Sequence, residues 1–409
     1  MAQPDRPFTA PGPEFTPGDA SDLGELRLPA PDALPRPPVD APARDLDEHA
    51  YGLLRVLDDD GQARGAWAPG LDLDTLKAGL ETMVLTRAYD ARMMKMQRTK
   101  RLSFYMKCLG EEAVATAAAM ALRGDDMLFP SYRQQAALIA RGADLTEMMC
   151  QCISNAVDPL LGRQLPVHYA DASRNWFSIS GNLGTQFPQA VGWAMASALK
   201  GQDALACSWI GEGTTAEGDF HAALTLASSF NAPTVLNVVN NQWAISMHQS
   251  ISRGQADSFA AKAIGYGLPG LRVDGNDFLA VHAATSWAAA RARAGMGTTL
   301  IELFTYRGEA HSTSDDPSRY RPKEAWQAWP LGDPVERLSR HLILRGGWQA
   351  SDQADLEADC KRRVDRAWKQ ALTHGTLQDG PHAPAGTLFE DVFAEQPWHL
   401  TRQKAELGA

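Results

Sequence analysis

The sequence predicts an α/β protein with a doubly wound, mainly parallel sheet and helices on both faces. Two observations carry that expectation. Apolar, β-branched runs alternate along the chain with alanine- and leucine-rich helical stretches, the pattern of repeated βαβ units. Two of those runs also stop abruptly in polar turns, one at Gly211-Glu212-Gly213 and one at Asn240-Asn241, as strands do on reaching the carboxyl edge of such a sheet.

The central unit reads directly. Ala204 to Ile210 is a strand, Thr215 to Phe230 a helix, Asn231-Ala232-Pro233 a breaker and Thr234 to Val239 a second strand. A right-handed crossover makes the two strands parallel, so Glu212 and Asn241 emerge at the same edge. A carboxylate, an amide oxygen and a nearby backbone carbonyl are the hard ligands that suit Mg²⁺, which is often shared with substrate phosphates. Each turn alone is a common connector; the spacing of both within one βαβ unit points to a site.

The other elements follow in order. Residues 1–45 are dense in proline, which excludes a regular helix or a central strand and predicts an extended arm, either a leader or a wrap around a partner subunit. Tyr51 to Leu57 before Asp58-Asp59-Asp60-Gly61 predicts a short strand and turn. Asp72 or Asp74 can cap a long helix towards Met96. Leu109-Gly110-Glu111-Glu112-Ala113 leads into the alanine-rich segment ending at Leu122, and Phe129-Pro130-Ser131-Tyr132-Arg133-Gln134 sets a phenol and a guanidinium just past an apolar run. Arginine's planar fork matches phosphate oxygens.

Residues 144–177 read as helix and loop, with His168 more often structural than a ligand. Ile179 to Gln186 is a glycine-broken loop rich in side-chain oxygen, and Pro188 opens a helix on which Gly192 and Ala196 share a smooth face, suited to packing within the chain or between subunits. Leu271 to Asp277 predicts strand and turn, Phe278 to Gly295 a helix and Thr299 to Tyr306 another strand, delivering the polar loop Arg307 to Pro317 to the same edge. From Asp333 two helical stretches end at Gly346-Gly347 and Gly375, and Leu388 to Leu407 is a last amphipathic segment. The expected organisation is an arm over 1–45, an α/β domain over 46–330 and a helical extension over 331–409, packed on that domain or on a partner.

Composition narrows the function. A net charge of −10 over 409 residues argues against a nucleic-acid partner. The five cysteines lack paired metal-ligand spacing, as in a reducing compartment. No apolar run reaches the roughly 18 residues of a membrane span, and the start MAQPDRPFTA has neither a signal nor a transit pattern, so the expected location is the cytoplasm.

Four blocks, Phe129 to Gln134, Ile179 to Gly192, Gly211 to Ser246 and Tyr306 to Tyr320, together resemble the alpha subunits of the thiamine diphosphate-dependent, decarboxylating component of branched-chain 2-oxoacid dehydrogenase complexes. The resemblance runs from about residue 50 to the end, with NNQWAIS, HSTSDDPSRYR and FEDVFAEQP closer to the branched-chain group than to pyruvate-type subunits. It implies a thiamine diphosphate-binding fold in which Glu212, Asn241 and the carbonyl of Trp243 hold Mg²⁺, with Glu212 replacing the signature aspartate. Tyr132, Arg133, Gly213 and Thr214 would meet the diphosphate, Leu183 the aminopyrimidine, and His311 would be the active-site histidine.

The resemblance further implies that Ser180, Asn182, Thr185 and Gln186 match a loop that binds K⁺ in some relatives. Ser312 and Ser314 lie where animal relatives are phosphorylated. Val239 stands in place of a phosphate-binding arginine, and Pro322 in place of a second regulatory serine. The partners implied are a beta subunit, in an α₂β₂ assembly supplying the carboxylate that faces the aminopyrimidine, and a lipoyl-bearing acyltransferase. Alternative readings are a pyruvate or acetoin dehydrogenase alpha subunit and, from another class, a nucleotide-binding or non-catalytic assembly module. The nucleotide-binding reading lacks its usual glycine-rich phosphate motifs.

Overall fold

A computed structural model describes residues 28–408 together with Leu23 and Leu26. The first half of the chain forms α1 (Asp47–Tyr51), β1 (Leu53–Leu54), α2 (Leu73–Arg98), α3 (Glu112–Ala121), β2 (Met127–Phe129), α4 (Gln135–Ala140), α5 (Leu145–Ile153) and α6 (Gln186–Leu199). Then come β3 (Ala206–Gly211), α7 (Gly218–Phe230), β4 (Thr234–Asn240), a small hairpin of β5 (Trp243–Ala244) and β6 (Met247–His248), and α8 (Gln249–Arg253). The chain closes with β7 (Gly270–Asp274), α9 (Phe278–Arg291), β8 (Thr299–Phe304), α10 (Pro334–Leu344), α11 (Ala350–Leu372) and α12 (Trp398–Leu407).

Six strands pair in the order β1-β7-β8-β4-β3-β2, all parallel. Side chains alternate between two cores because successive residues of a strand face opposite ways. Cys207, Trp209, Val235, Val239, Ile301 and Leu303 pack on the side covered by α2, α3 and α9. Ala206, Ile210, Leu236, Val238 and Leu300 pack on the side of α6 and α7. This is the expected doubly wound sheet, and β3 and β4 are neighbours in register, Gly211 opposite Val239.

Several boundaries differ from expectation. The first strand is only Leu53–Leu54, because the chain before it closes as α1. The segment after Gly211 begins as a 3-10 turn, Glu212–Ala216, and becomes α-helical only at Gly218. Helix α6 starts at Gln186; Pro188 is tolerated within its first turn, where a missing N–H breaks no helical bond. Gly192 and Ala196 lie exposed on α6, so that smooth face does not pack within the described chain.

Of the C-terminal helices, α10 and α11 pack on the α/β body, whereas α12 buries no residue. Arg363 of α11 pairs with Glu81 of α2 at 2.5 Å, and Arg92 of α2 pairs with Asp365. The proline-rich segment is also seated there. The Pro35 carbonyl accepts from Trp67 Nε1 at 3.0 Å and lies 2.8 Å from His49 Nε2, while Pro37 accepts from Trp287 Nε1 at 2.9 Å. Arg291 donates to the carbonyls of Val39 and Ala41, both at 2.7 Å. The rest of the expected arm, residues 1–22, 24, 25 and 27, lies outside the described residues. Among the described residues no helix is long and apolar enough to cross a membrane, and all five cysteines are free and buried.

Candidate active site

The carboxyl edge of β3, β4 and β8 gathers most of the expected residues. Glu212 leaves β3 and is 1% exposed, yet its Oε1 has no hydrogen-bond partner. Burial pushes its carboxyl up to about 7, with Glu111 adding to the rise and Arg307 opposing it. A buried carboxylate oxygen without a donor is costly unless the group is protonated or meets a cation. The next residue must be glycine: a Cβ on Gly213 would collide with the Cβ of Ala244. Thr215 donates to the Glu212 carbonyl at 2.8 Å, and Lys262 Nζ to the Thr215 hydroxyl at 2.8 Å, so the turn is pinned from behind.

Asn241 leaves β4 beside it. Its Nδ2 donates to Glu111 Oε1 at 2.7 Å, and its Oδ1 accepts from Trp243 N at 3.2 Å. The Trp243 carbonyl, expected on the metal, already accepts from Arg307 at 2.7 Å; a carbonyl has a second lone pair to offer. Arg307, 1% exposed, also donates to the Ile245 carbonyl at 2.8 Å. Ile245 has a φ of 55°, a conformation that β-branched residues seldom hold, and the buried guanidinium stabilises the strained hairpin turn that carries it. One carboxylate, one amide and one carbonyl suit a hard ion that keeps other ligands. Consistent with so sparse a set, no cluster of three or more His, Cys, Asp or Glu side chains that could hold a metal occurs among the described residues.

The Tyr132-Arg133 pair follows β2 and turns inward. Arg133 is 3% exposed; it donates to the carbonyls of Lys107 and His311, and its Nε lies 3.5 Å from Glu111. The Tyr132 ring meets His311 edge-on at 5.8 Å and stacks on His168 at 6.4 Å. His311 follows β8. Burial, with Arg133 and Arg307, lowers its pKa to about 3 against the pull of Asp315. Arg133 also approaches His311 Nδ1 to 3.3 Å; a guanidinium can only donate, so Nδ1 is the acceptor and Nε2 carries the ring proton.

The loop before α6 reaches the same edge. Gly184 has a φ of +87°, and a Cβ there would come within 3.3 Å of Thr214 Cγ2. Thr214 is buried, whereas Leu183 is exposed at this edge. Within the loop, Ser180 Oγ accepts from Asn182 N at 3.1 Å and Thr185 Oγ1 donates to the Asn182 carbonyl at 3.2 Å. Gln186 donates to the Trp209 carbonyl at 3.1 Å, leaving its buried Oε1 without a partner. The two serines after His311 differ. Ser312 is buried and accepts from Ser314 N at 3.2 Å, while Ser314 is exposed, so only Ser314 is open to modification in this conformation.

Three residues of the site had no role in the reading of the sequence. Glu111 looked like a helix start, Arg307 like a neighbour of His311, and His168 like a structural histidine. Only the inward turn of the Gly110-Glu111-Glu112 stretch, placed by the fold, reveals the first of them.

An all-parallel sheet whose carboxyl edge joins a buried carboxylate with a partnerless oxygen, an amide, a guanidinium and a neutral imidazole makes a candidate enzyme site. Residues 80–378 match the family described as dehydrogenase E1 component. The chain is 54% identical over 398 residues to the 2-oxoisovalerate dehydrogenase subunit alpha of Pseudomonas aeruginosa, covering 97% of each. It is 37% identical over 358 residues to the mitochondrial 2-oxoisovalerate dehydrogenase subunit alpha of Mus musculus, covering 87% of this chain and 79% of that one. It is likewise 37% identical over 360 residues to the mitochondrial subunit alpha 1 of Arabidopsis thaliana, covering 87% of this chain and 74% of that one. The chain belongs to the dehydrogenase E1 component family, and within it to the alpha-subunit type of 2-oxoacid dehydrogenase.

Proposed function

We propose that the chain is the alpha subunit of an α₂β₂ enzyme that uses thiamine diphosphate and Mg²⁺ to decarboxylate branched-chain 2-oxo acids. The 2-oxo acid loses CO₂, its carbonyl carbon is oxidised to the acyl level, and the disulfide of a lipoyl group on the acyltransferase is reduced to a thioester and a thiol. The observation that carries this reading is the buried, partnerless Oε1 of Glu212 beside Asn241, a half-built cation site. Family membership sets aside a nucleotide-binding or purely structural module. The names of the relatives favour 2-oxoisovalerate over pyruvate or acetoin chemistry.

When bound, thiamine diphosphate supplies a thiazolium ring that takes up the electron pair left as CO₂ departs. The chain's own residues anchor, orient and exclude water. Glu212, Asn241 and the Trp243 carbonyl would hold Mg²⁺. Arg133 and Tyr132 would hold diphosphate oxygens beside Gly213 and Thr214, and Leu183 would pack on the aminopyrimidine. His311, neutral and with its proton on Nε2, would donate to the substrate carboxylate or its neighbouring oxygen rather than act as an imidazolium acid. Ser180, Asn182, Thr185 and Gln186 would hold K⁺, a role supported by the free Gln186 Oε1. The beta subunit would supply the glutamate that faces the aminopyrimidine.

The test is turnover of the co-expressed alpha and beta chains, with thiamine diphosphate and Mg²⁺, on 3-methyl-2-oxobutanoate and on pyruvate side by side. The branched acid should be turned over with the higher kcat/KM. Preference for pyruvate would overturn the substrate assignment, and turnover without the cofactor would overturn the mechanism.

A further inference from the structure

We infer that Glu111 is a positioning residue that decides which end of the Asn241 amide faces the metal-binding turn, a role that rests on the cofactor reading above. The two ends of an asparagine amide are nearly identical in shape, but only the oxygen can ligate a hard cation. A half-turn of the amide would present an N–H pair to the ion. Something must tell the ends apart.

Glu111 does so by accepting. Its Oε1 takes the Asn241 Nδ2 hydrogen at 2.7 Å, and an oxygen that accepts at this position cannot pair with an amide oxygen turned its way. On the other side Trp243 N donates to Oδ1 at 3.2 Å, a longer contact that agrees with this orientation but is less able to impose it. Glu111 is itself fixed. It is 1% exposed, with Arg133 Nε at 3.5 Å, and the next carboxylate points elsewhere, Glu112 accepting from Arg87 at 2.8 Å and from Gly110 N at 2.9 Å. The turn that carries both is clamped to the strand edge, because Thr305 donates to the Gly110 carbonyl at 2.9 Å and a Cβ on Gly110 would collide with the Tyr306 carbonyl.

The same device operates one residue earlier. Asn240 Nδ2 donates to Glu302 at 2.7 Å, which leaves its Oδ1 to accept from Gln242. Each asparagine of the pair therefore has a buried glutamate that selects its nitrogen end. For Asn240 the selected oxygen serves the backbone; for Asn241 it is turned to the cation turn.

The experiment uses Mn²⁺ as a paramagnetic stand-in for Mg²⁺, titrated by electron paramagnetic resonance into the α/β assembly with thiamine diphosphate. Glu111→Leu should lose roughly 10–100-fold in Mn²⁺ affinity, as expected when the outer partner of a metal ligand is removed. Glu111→Gln can present either an oxygen or an N–H pair, so it should lose part of the selection and fall between wild type and Glu111→Leu. Asn241→Asp sets two carboxylates against each other and should bind weakly, and adding Glu111→Gln to it should recover roughly tenfold by restoring a donor and an acceptor. Unchanged affinity in Glu111→Leu, or no recovery in the double variant, would overturn the role; if Glu111→Leu does not fold, the Asn241→Asp pair decides. A wild-type assembly that takes up thiamine diphosphate without Mn²⁺ or Mg²⁺ would remove the metal reading and this role together.

Discussion

Arg133 and His311, 178 residues apart in sequence, meet twice: the guanidinium donates to the His311 carbonyl at 2.9 Å and approaches Nδ1 to 3.3 Å. One cation thus sets the ring's tautomer and helps to keep it neutral. Arg133→Met removes a buried charge-assisted donor, worth about 1.5–3 kcal/mol, so thiamine diphosphate affinity should fall by about 10–100-fold. His311 should also become easier to protonate. The acid limb of the kcat profile should therefore move to higher pH in the variant, and an unmoved limb would detach Arg133 from the histidine's protonation.

The uncompensated oxygen of Glu212 predicts opposite effects on binding and on stability. Glu212→Gln should lose Mg²⁺-dependent uptake of thiamine diphosphate in calorimetry. Above about pH 7, where the Glu212 carboxyl is ionised, the cofactor-free variant should melt higher, because a buried charged group lacking a donor costs about 1–3 kcal/mol more than a satisfied one. Intact Mg²⁺-dependent uptake would exclude Glu212 from the cation site.

In the proposed α₂β₂ assembly this chain supplies one wall of the site, so alone it should show no decarboxylase turnover, and adding the beta chain should restore it. Activity of the isolated chain, freed of partner by gel filtration, would contradict the α₂β₂ assignment.

Ser312 and Ser314 should respond differently to added charge. His311 N and the Tyr320 hydroxyl both donate to Asp315 Oδ2, at 2.7 and 2.6 Å, and Ser312 is tucked beneath this loop. Ser312→Glu buries a carboxylate close to Asp315 and should open the loop to proteolysis; Ser314→Glu, on an exposed position, should do so less. Limited proteolysis followed by intact-mass analysis reads the difference, and the reverse order would contradict the burial of Ser312.

A pH effect lies far from the chemistry. Burial lowers His282, on α9, to about 4. The unfolded chain, with an ordinary histidine near about 6.5, binds the proton first as pH falls, so stability is lost progressively from about pH 6.5 towards the folded value. His282→Gln should flatten that part of the melting-temperature profile, and an unchanged slope would show that other groups cause it.

How much of this was legible in the sequence depended on sequence distance. Glu212 and Asn241 stood out because one βαβ unit carries both, so local pattern and handedness suffice to bring them together. Tyr132, Arg133 and His311 needed the resemblance, since no local rule joins turns so far apart. Glu111 was invisible for a physical reason: a glutamate before an alanine-rich helix is what a solvated helix start also looks like, and only the packed turn points it at Asn241, 130 residues away. Burial likewise separated Ser312 from Ser314, which the residue pattern treats alike. The two-residue β1 was overestimated because apolar residues flanking it serve the core without pairing.

Proline-rich chain is poor in N–H donors yet keeps every carbonyl, and in this protein those carbonyls are used. The indole N–H groups of Trp67 and Trp287, both buried, and Nη1 of Arg291 are satisfied by the backbone of residues 35–41. Cutting the chain at residue 45 would strip the acceptors from two indoles and from Arg291 Nη1. Those residues thus act as a built-in lining of the helical face, and the smallest stable unit begins upstream of the first regular element.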